Sequence, residues 1–400
     1  MGLLERILDQ PRKLLLRRAL FQIHLWAGIM VGIYAILIGV TGSVLVFAEE
    51  LHEAEVSQWR HVPIPPNAQY TSVDQWVAAA RKAAGPGGNL NLIFPDGPGK
   101  SVQVDFFRQN NGTVLFVNPY TADVVGMKVN DGNEILRLMG RFHSNLLIPR
   151  TGRLFNGFGA LALLLVAFTG IVIWWPGRRF VRQRLTVKFG ASWKRINFDF
   201  HQAVGFWGML GFSMLCVTGA WFTWPQVFRN TVQGLGYNVT QPQRLSVQRP
   251  EGAEKLPLSE LIGAADAAVP GPPVSRVNVA EGANEPVRLN KAGEGKPFFR
   301  TATVIAVDPY TRNVIRVDSL ATKTPGDRIL AWIGPLHSGN FGGLAIKITW
   351  FILGLTMPAL FISGFIMWWQ RVVRNRWLRY PTAARLRGSA YKHPKPNVRL

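Results

Sequence analysis

Four stretches of the chain, at 20–48, 154–176, 201–225 and 341–369, are apolar almost throughout, whereas the segments between them mix polar and apolar positions. Each meets the ~20 residues that a membrane-spanning helix requires, so four transmembrane helices are predicted. The pattern differs in the two long connections. Residues 73–83, preceded by Thr71-Ser72, and residues 258–268 show helical spacing. The runs 101–107, 113–117, 274–280 and 301–307 alternate as antiparallel strands, with turns at Asn118-Pro119 and Asp308-Pro309. Each connection therefore reads as a small α+β domain.

The chain divides accordingly into a basic arm and first helix (1–48), a first domain (49–150), a second helix (151–176), a basic loop (177–198), a third helix (199–225), a second domain (226–340), a fourth helix (341–369) and a basic tail (370–400). A net charge of +22 would suit a nucleic-acid partner if the cations were spread along the chain. They are not. Arg6, Arg12, Lys13, Arg17 and Arg18, the seven basic residues of 177–198 and the nine of the tail all flank apolar stretches on one side of the expected membrane. The positive-inside rule makes that side cytoplasmic, with both termini there and both domains opposite. Membrane lipid, not nucleic acid, is the partner that this charge implies. The first apolar stretch is too long for a signal peptide and reads as a retained anchor. Cys216, the one cysteine, falls inside the third stretch, which excludes disulfides and covalent attachment of a c-type haem.

The two halves of the chain repeat in order. Phe21, His24, Gly28 and Val40-Thr41-Gly42 match Phe198, His201, Gly205 and Val217-Thr218-Gly219 at an offset of 177. His143-Ser144, Gly170 and Trp174-Trp175 match His337-Ser338, Gly364 and Trp368-Trp369 at an offset of 194. The segment 117–121 recurs as 307–311. An even number of crossings separates equivalent helices, so the bundle is built from two parallel repeats related by a pseudo-twofold axis along the membrane normal, with equivalent residues at equal depth.

Four of the seven histidines are matched pairs, His24 with His201 and His143 with His337. Such residues in or near spanning helices usually face the bundle interior and carry function. A twofold axis brings equal-depth imidazoles together, as bis-axial haem ligation requires. The bland alternative for each is an interfacial hydrogen-bonding histidine. His24 lies six residues, about 9 Å of helix, beyond Arg18. His143 and His337 precede the tryptophan pairs that end their helices by some thirty residues, with Pro149, Gly152, Gly339 and Gly342-Gly343 interrupting the way. They are expected on short interfacial segments. Two non-covalent, b-type haems follow, one near the cytoplasm and one near the outer face. His52, His61 and His393 have no counterparts; His52 is the substitute ligand or a surface residue. Glu49-Glu50 reads as two solvated carboxylates, with cation or partner binding as the alternative. No phosphate loop, dinucleotide fingerprint, zinc-protease or serine-hydrolase motif is present, so nothing but the haem ligands looks catalytic.

The order His-x-x-x-Gly, Val-Thr-Gly, Leu-His-Ser (336–338) and Phe-His-Ser (142–144), with duplicated Asp/Asn-Pro-Tyr-Thr, resembles the PepSY-associated transmembrane helix family over nearly the whole chain. The resemblance implies two periplasmic PepSY-like domains on a bacterial inner-membrane bundle and carries the family histidines onto His24, His143, His201 and His337. It implies an oxidoreductase of the iron-uptake type, moving electrons from a cytoplasmic-side donor, a protein or a quinol, to a ferric siderophore or other ferric chelate. A non-redox PepSY binding or regulatory protein, and haem transport or sensing, are the alternatives. Leu25 stands where the family often has Arg, and Ala345-Ile346-Lys347 where it has Gly-Arg.

Overall fold

A computed structural model describes residues 15–108, 111–130, 135–291 and 303–374. Arg6, Arg12 and Lys13 of the basic arm, His393, and the tail beyond 374 lie outside the described residues, as do the first two positions of the strand expected at 301–307.

Among the described residues four helices are long and apolar enough to cross a membrane: α1 (Leu15–Leu45), α5 (Thr151–Trp174), α6 (Trp193–Thr223) and α11 (Gly343–Trp369, its apolar run continuing to Val372). The chain is a membrane protein with an additional antiparallel sheet region. α6 begins eight residues before the apolar stretch that announced it, because its first turns are polar. There the buried Asp199 pairs with Arg195 one turn earlier at 2.8 Å, an i,i+4 pair that helical geometry favours. The end of α5 is capped from α1: Arg17 donates to the carbonyls of Trp175, at 2.9 Å, and Ile173, satisfying carbonyls that a helix C-terminus leaves open.

The sheet region follows the predicted elements closely. The first segment contributes α2 (Ala48–Arg60), α3 (Val73–Ala84), β1 (Asn89–Ile93), β2 (Val102–Arg108), β3 (Asn111–Val117), β4 (Val124–Asn130) and α4 (Ile135–Asn145). The second contributes α7 (Pro225–Gly234), α8 (Leu258–Ala268), β5 (Val274–Val279), β6 (Val287–Lys291), β7 (Thr303–Val307), β8 (Val314–Asp318), α9 (Pro325–Leu330) and α10 (Ile333–Ser338). Ser72 and Gln75 form a reciprocal capping box that starts α3. At the repeated Pro-Tyr-Thr turns, Asn118 Oδ1 accepts from Tyr120 N at 2.9 Å and Asp308 Oδ1 from Tyr310 N at 2.8 Å. Ala122 and Arg312 then take matching left-handed conformations, with φ of 62° and 65°.

The strands of the two segments do not form two sheets. They lie in one eight-stranded sheet of order β4-β3-β2-β1-β5-β6-β7-β8, joined where β1 pairs antiparallel with β5, Leu92 opposite Val277. The order reads the same outward from that central pair. Pairing β1 with β5 removes two exposed strand edges, each a liability in isolation. One face of the sheet buries Leu92, Val104, Phe106, Leu115, Val277, Leu289 and Ile305 against α3 and α8 in one core. A second helical cap crosses the halves: Asp74 in α3 accepts from the Leu258 amide at 2.7 Å and from Ser259, so α8 depends on α3 for its N-terminal hydrogen bonds. Replacing the fully buried Leu289 by Ala is expected to cost about 2–5 kcal/mol and, because the core is shared, to expose strands of both segments to protease together. Persistent protection of 73–130 in Leu289→Ala protein would show two independent cores.

Glu49 and Glu50, at the start of α2, are not simply solvated. Glu50 accepts from Lys347 at 2.7 Å, and Glu49 lies 3.6 Å from the same ammonium. This contact holds the Glu50 carboxyl below its usual range and gives a largely buried lysine its counter-charge.

Candidate haem site

The chain falls into two compact units: 1–40, 161–213 and 353–400 in one, 41–160 and 214–352 in the other. Each contains one matched histidine pair.

In the first unit, His24 of α1 and His201 of α6 face each other with ring centroids 6.5 Å apart and planes at 86°. His24 Nδ1 lies 3.0 Å from the Val166 carbonyl and 3.2 Å from Thr169 Oγ1 on α5. His201 Nδ1 lies 2.9 Å from Ser363 Oγ on α11. In the second unit, His143 of α4 and His337 of α10 have ring centroids 6.0 Å apart and planes at 51°. Both sit on short helices distinct from the spanning ones, as the sequence indicated. Leu146 and Leu147 follow α4 with positive φ, and Gly339 ends α10 in the left-handed conformation. Their Nδ1 atoms contact Thr41 Oγ1 of α1 at 3.2 Å and Thr218 Oγ1 of α6 at 2.9 Å. Burial, and then the neighbouring His143, hold His337 down to about 4, so its imidazole is neutral near pH 7.

These contacts fix which nitrogen is available. Thr169 donates its hydroxyl proton to Leu165 and Val166 carbonyls, Thr218 to Met214 and Leu215, and Ser363 to Leu360. A hydroxyl has one proton, so with that proton committed these oxygens accept from histidine Nδ1–H. For His24 the Val166 carbonyl, which can only accept, gives the same answer. The neutral ring then carries its lone pair on Nε2, the ligating nitrogen. A metal bonded to two opposed imidazoles at about 2.0–2.1 Å each, with ring centres roughly 1.2 Å behind the nitrogens, separates the centroids by about 6.5 Å. The two observed separations are close to that value. Among the described residues no cluster of three or more His, Cys, Asp or Glu could hold a bare ion. Two axial donors fit a metal whose other ligands come with it, as in haem.

Glycines complete the fit in two ways. Behind each ring, a partner helix presents glycine next to the hydroxyl residue. A Cβ there would stand from His Cε1 at 3.0 Å on Gly170 (His24), 3.2 Å on Gly364 (His201), 2.7 Å on Gly42 (His143) and 3.3 Å on Gly219 (His337). Beside each histidine, one turn along its own helix, lies a second glycine: Gly28, Gly205, Gly140 and Gly334. A Cβ on Gly28 or Gly334 would meet nothing within 4 Å, and one on Gly205 or Gly140 only a leucine methyl at 3.9 Å. Residues three or four apart share a helix face, so these positions let a flat ring lie against the backbone beside its axial ligand.

Thr218→Val tests the hydroxyl's role. It removes the hydroxyl acceptor from His337 Nδ1–H and leaves only the Leu215 carbonyl, and outer hydrogen-bond partners of metal-ligating histidines typically contribute 10–100-fold to affinity. The expected outcome is retention of the protein's fold with haem affinity weakened by about that factor and rescue in Thr218→Ser. Unchanged affinity and potential in Thr218→Val would remove the hydroxyl from the site.

The four histidines selected from the sequence thus come together as the two expected pairs. His52 lies on α2, on the side of Asp105 of β2, whose carboxyl burial pushes up and hydrogen bonds from Gln103 and Asn91 draw down. His61 Nε2 contacts Lys100 Nζ at 2.8 Å. Neither joins a pair. The hydroxyls of Thr169 and Ser363 went unnoticed in the sequence, although a Thr/Ser-Gly dipeptide recurs on all four spanning helices at 41–42, 169–170, 218–219 and 363–364.

The sequence model of one protein family, described as the PepSY-associated TM region, matches residues 21–371. No curated protein matches the chain.

Proposed function

Since the chain belongs to the family of the PepSY-associated TM region, we propose that it is a di-haem membrane reductase moving electrons from a cytoplasmic-side donor to a ferric chelate, such as a ferric siderophore, in the periplasm of a bacterium. The observation that carries the reading is the pair of neighbouring imidazoles in each unit, with centroids at 6.5 and 6.0 Å and each Nδ1 engaged by a hydroxyl. Bound haem iron would supply reversible one-electron chemistry. His24 with His201, and His143 with His337, would hold it. Thr169, Ser363, Thr41 and Thr218 meet the rings at Nδ1, and the flanking glycines would leave room for the macrocycle. The chain's two halves would stand as parallel repeats, which brings equivalent histidines to equal depth. A ferric chelate is a suitable acceptor because hard oxygen donors hold ferric iron more tightly than ferrous, so reduction loosens the complex.

The test is stopped-flow mixing of dithionite-reduced protein with ferric chelates, followed in the Soret band. Reoxidation with loss of one electron per haem supports the reading. Failure of every ferric chelate to reoxidise the protein leaves a haem carrier or sensor instead.

Orientation gives a separate expected outcome. Cysteine introduced at Thr186 should react with an impermeant maleimide only from the cytoplasm, and cysteine at Asn284 only from outside, because the basic loop and the sheet region flank opposite ends of α6. Both labelling from one side contradicts the orientation and the depth matching of the histidines.

A further inference from the structure

We infer that the second half of the sheet region carries a binding cleft for an anionic, oxygen-rich ferric chelate, a polycarboxylate in the first instance, beside the His143/His337 pair. This deepens the proposed reductase reading and rests on it for the iron in the ligand. The cleft has a volume of about 460 Å³ and is lined by cations from three elements and a turn: Arg229 of α7, Arg288 of β6, Arg316 of β8, and Lys323 between β8 and α9.

The acids in the cleft are already engaged. Asp318 takes Arg316 Nε at 2.7 Å. Asp327 accepts from the Thr240 amide at 3.1 Å, from the Thr240 hydroxyl, and from Thr324 Oγ1 at 2.8 Å. Arg229 is oriented rather than neutralised, donating to the Thr240 carbonyl at 3.1 Å with its guanidinium 5.7 Å from the Trp221 ring centre. Glu285, the acid whose carboxyl feels Arg288, is bonded to Arg244 at 2.9 Å. Four cations, Arg229, Arg288, Arg316 and Lys323, face two carboxylates, Asp318 and Asp327, so the cleft holds two positive charges in excess. Such convergence selects carboxylate-type oxygens, which guanidinium groups bind with charge-assisted, often bidentate hydrogen bonds.

Position ties the cleft to the histidines. Trp221, in its wall, lies one turn along α6 from Thr218, which orients His337. The next residue, Phe222, packs its ring 5.3 Å from His337. Leu330 and Ala331, also in the wall, directly precede the helix that bears His337. A chelate held here stands against the two elements that position the ligand. In the redox step one electron leaves the reduced protein and converts the bound ferric chelate to its ferrous form; no atom is transferred.

Gallium(III) citrate, a redox-inert mimic of ferric citrate, separates binding from reduction. Protein in phosphatidylcholine nanodiscs is dialysed to equilibrium against it. Wild-type protein should bind it, more weakly as salt rises, and Arg288→Ala/Lys323→Ala should bind at least about tenfold more weakly, with recovery in Arg288→Lys/Lys323→Arg. Arg288 is exposed on β6, so its replacement spares the core. Equal affinity in wild-type and double-alanine protein overturns the inference, as does displacement of the probe by phosphatidylglycerol, which would make the cleft a lipid-headgroup site. If gallium citrate binding follows the prediction while ferric citrate fails to reoxidise reduced protein, the cleft stands and the reductase reading falls. If ferric citrate reoxidises the double variant as fast as wild type, the reductase reading stands and the cleft is not where the acceptor docks.

Discussion

Replacing His143 or His337 by Ala is expected to lower the haem content of the purified protein from the proposed two per chain to one, or to leave the second haem five-coordinate and high-spin. In the proposed site each ring would supply one nitrogen to the haem iron, and its Nδ1 meets a hydroxyl on a different helix, Thr41 at 3.2 Å and Thr218 at 2.9 Å. Removing the ring removes the bond and leaves no second histidine at the site. His52, on α2, is not in ring contact with either histidine. Reoxidation of dithionite-reduced protein by ferric chelate should slow by at least about two orders of magnitude, the upper range for damage to a metal's immediate support. The spectrum, haem ratio and stopped-flow rate are measured on the same preparation. An unchanged rate in both variants would place the electron exit elsewhere.

Loss of the other pair has a different signature. His24→Ala or His201→Ala should abolish reduction by the cytoplasmic-side donor, assayed in inverted membrane vesicles, while dithionite still reduces the remaining haem. Gly205→Phe should reproduce this loss with both histidines intact. Gly205 lies one turn from His201 on the same face, where a Cβ would meet only Leu360 Cδ2 at 3.9 Å, and a phenyl group would fill the strip against which a flat ring must lie. Gly190→Phe, in the connecting loop where nothing stands within 4 Å, serves as the control for bulk alone. Full haem loading in Gly205→Phe would mean that the glycine serves helix packing and not cofactor access.

The spanning helices and the histidine pairs were legible in the sequence for one reason each. Twenty-residue apolar runs have few alternatives, and an ordered duplication turns four scattered histidines into two pairs. The early start of α6 was hidden because Lys194, Arg195, Asn197 and Asp199 depress hydropathy, although the Arg195–Asp199 pair suits a helix. The joining of β1 to β5 left no local trace. Leu92 and Val277 look alike whether their strands are neighbours or edges of separate sheets, and the choice is made by a core assembled from both segments. The hydroxyls of Thr169, Thr218 and Ser363 were hidden for a subtler reason. In an apolar helix such residues ordinarily return their proton to a carbonyl one turn back, and these do so. That very bond leaves the oxygen free to accept from histidine, so the feature that makes them unremarkable in sequence is what fixes the ring tautomer.

The central claim, that two opposed histidine pairs each hold a haem, is tested most directly by quantifying haem in protein purified from haem-sufficient cells, using the pyridine haemochrome spectrum against amino-acid analysis. Two b-type haems per chain, fully released by acid-acetone and low-spin before extraction, are predicted. Folded protein that is colourless, or that saturates at one haem per chain with either pair replaceable by alanine without loss, would contradict it.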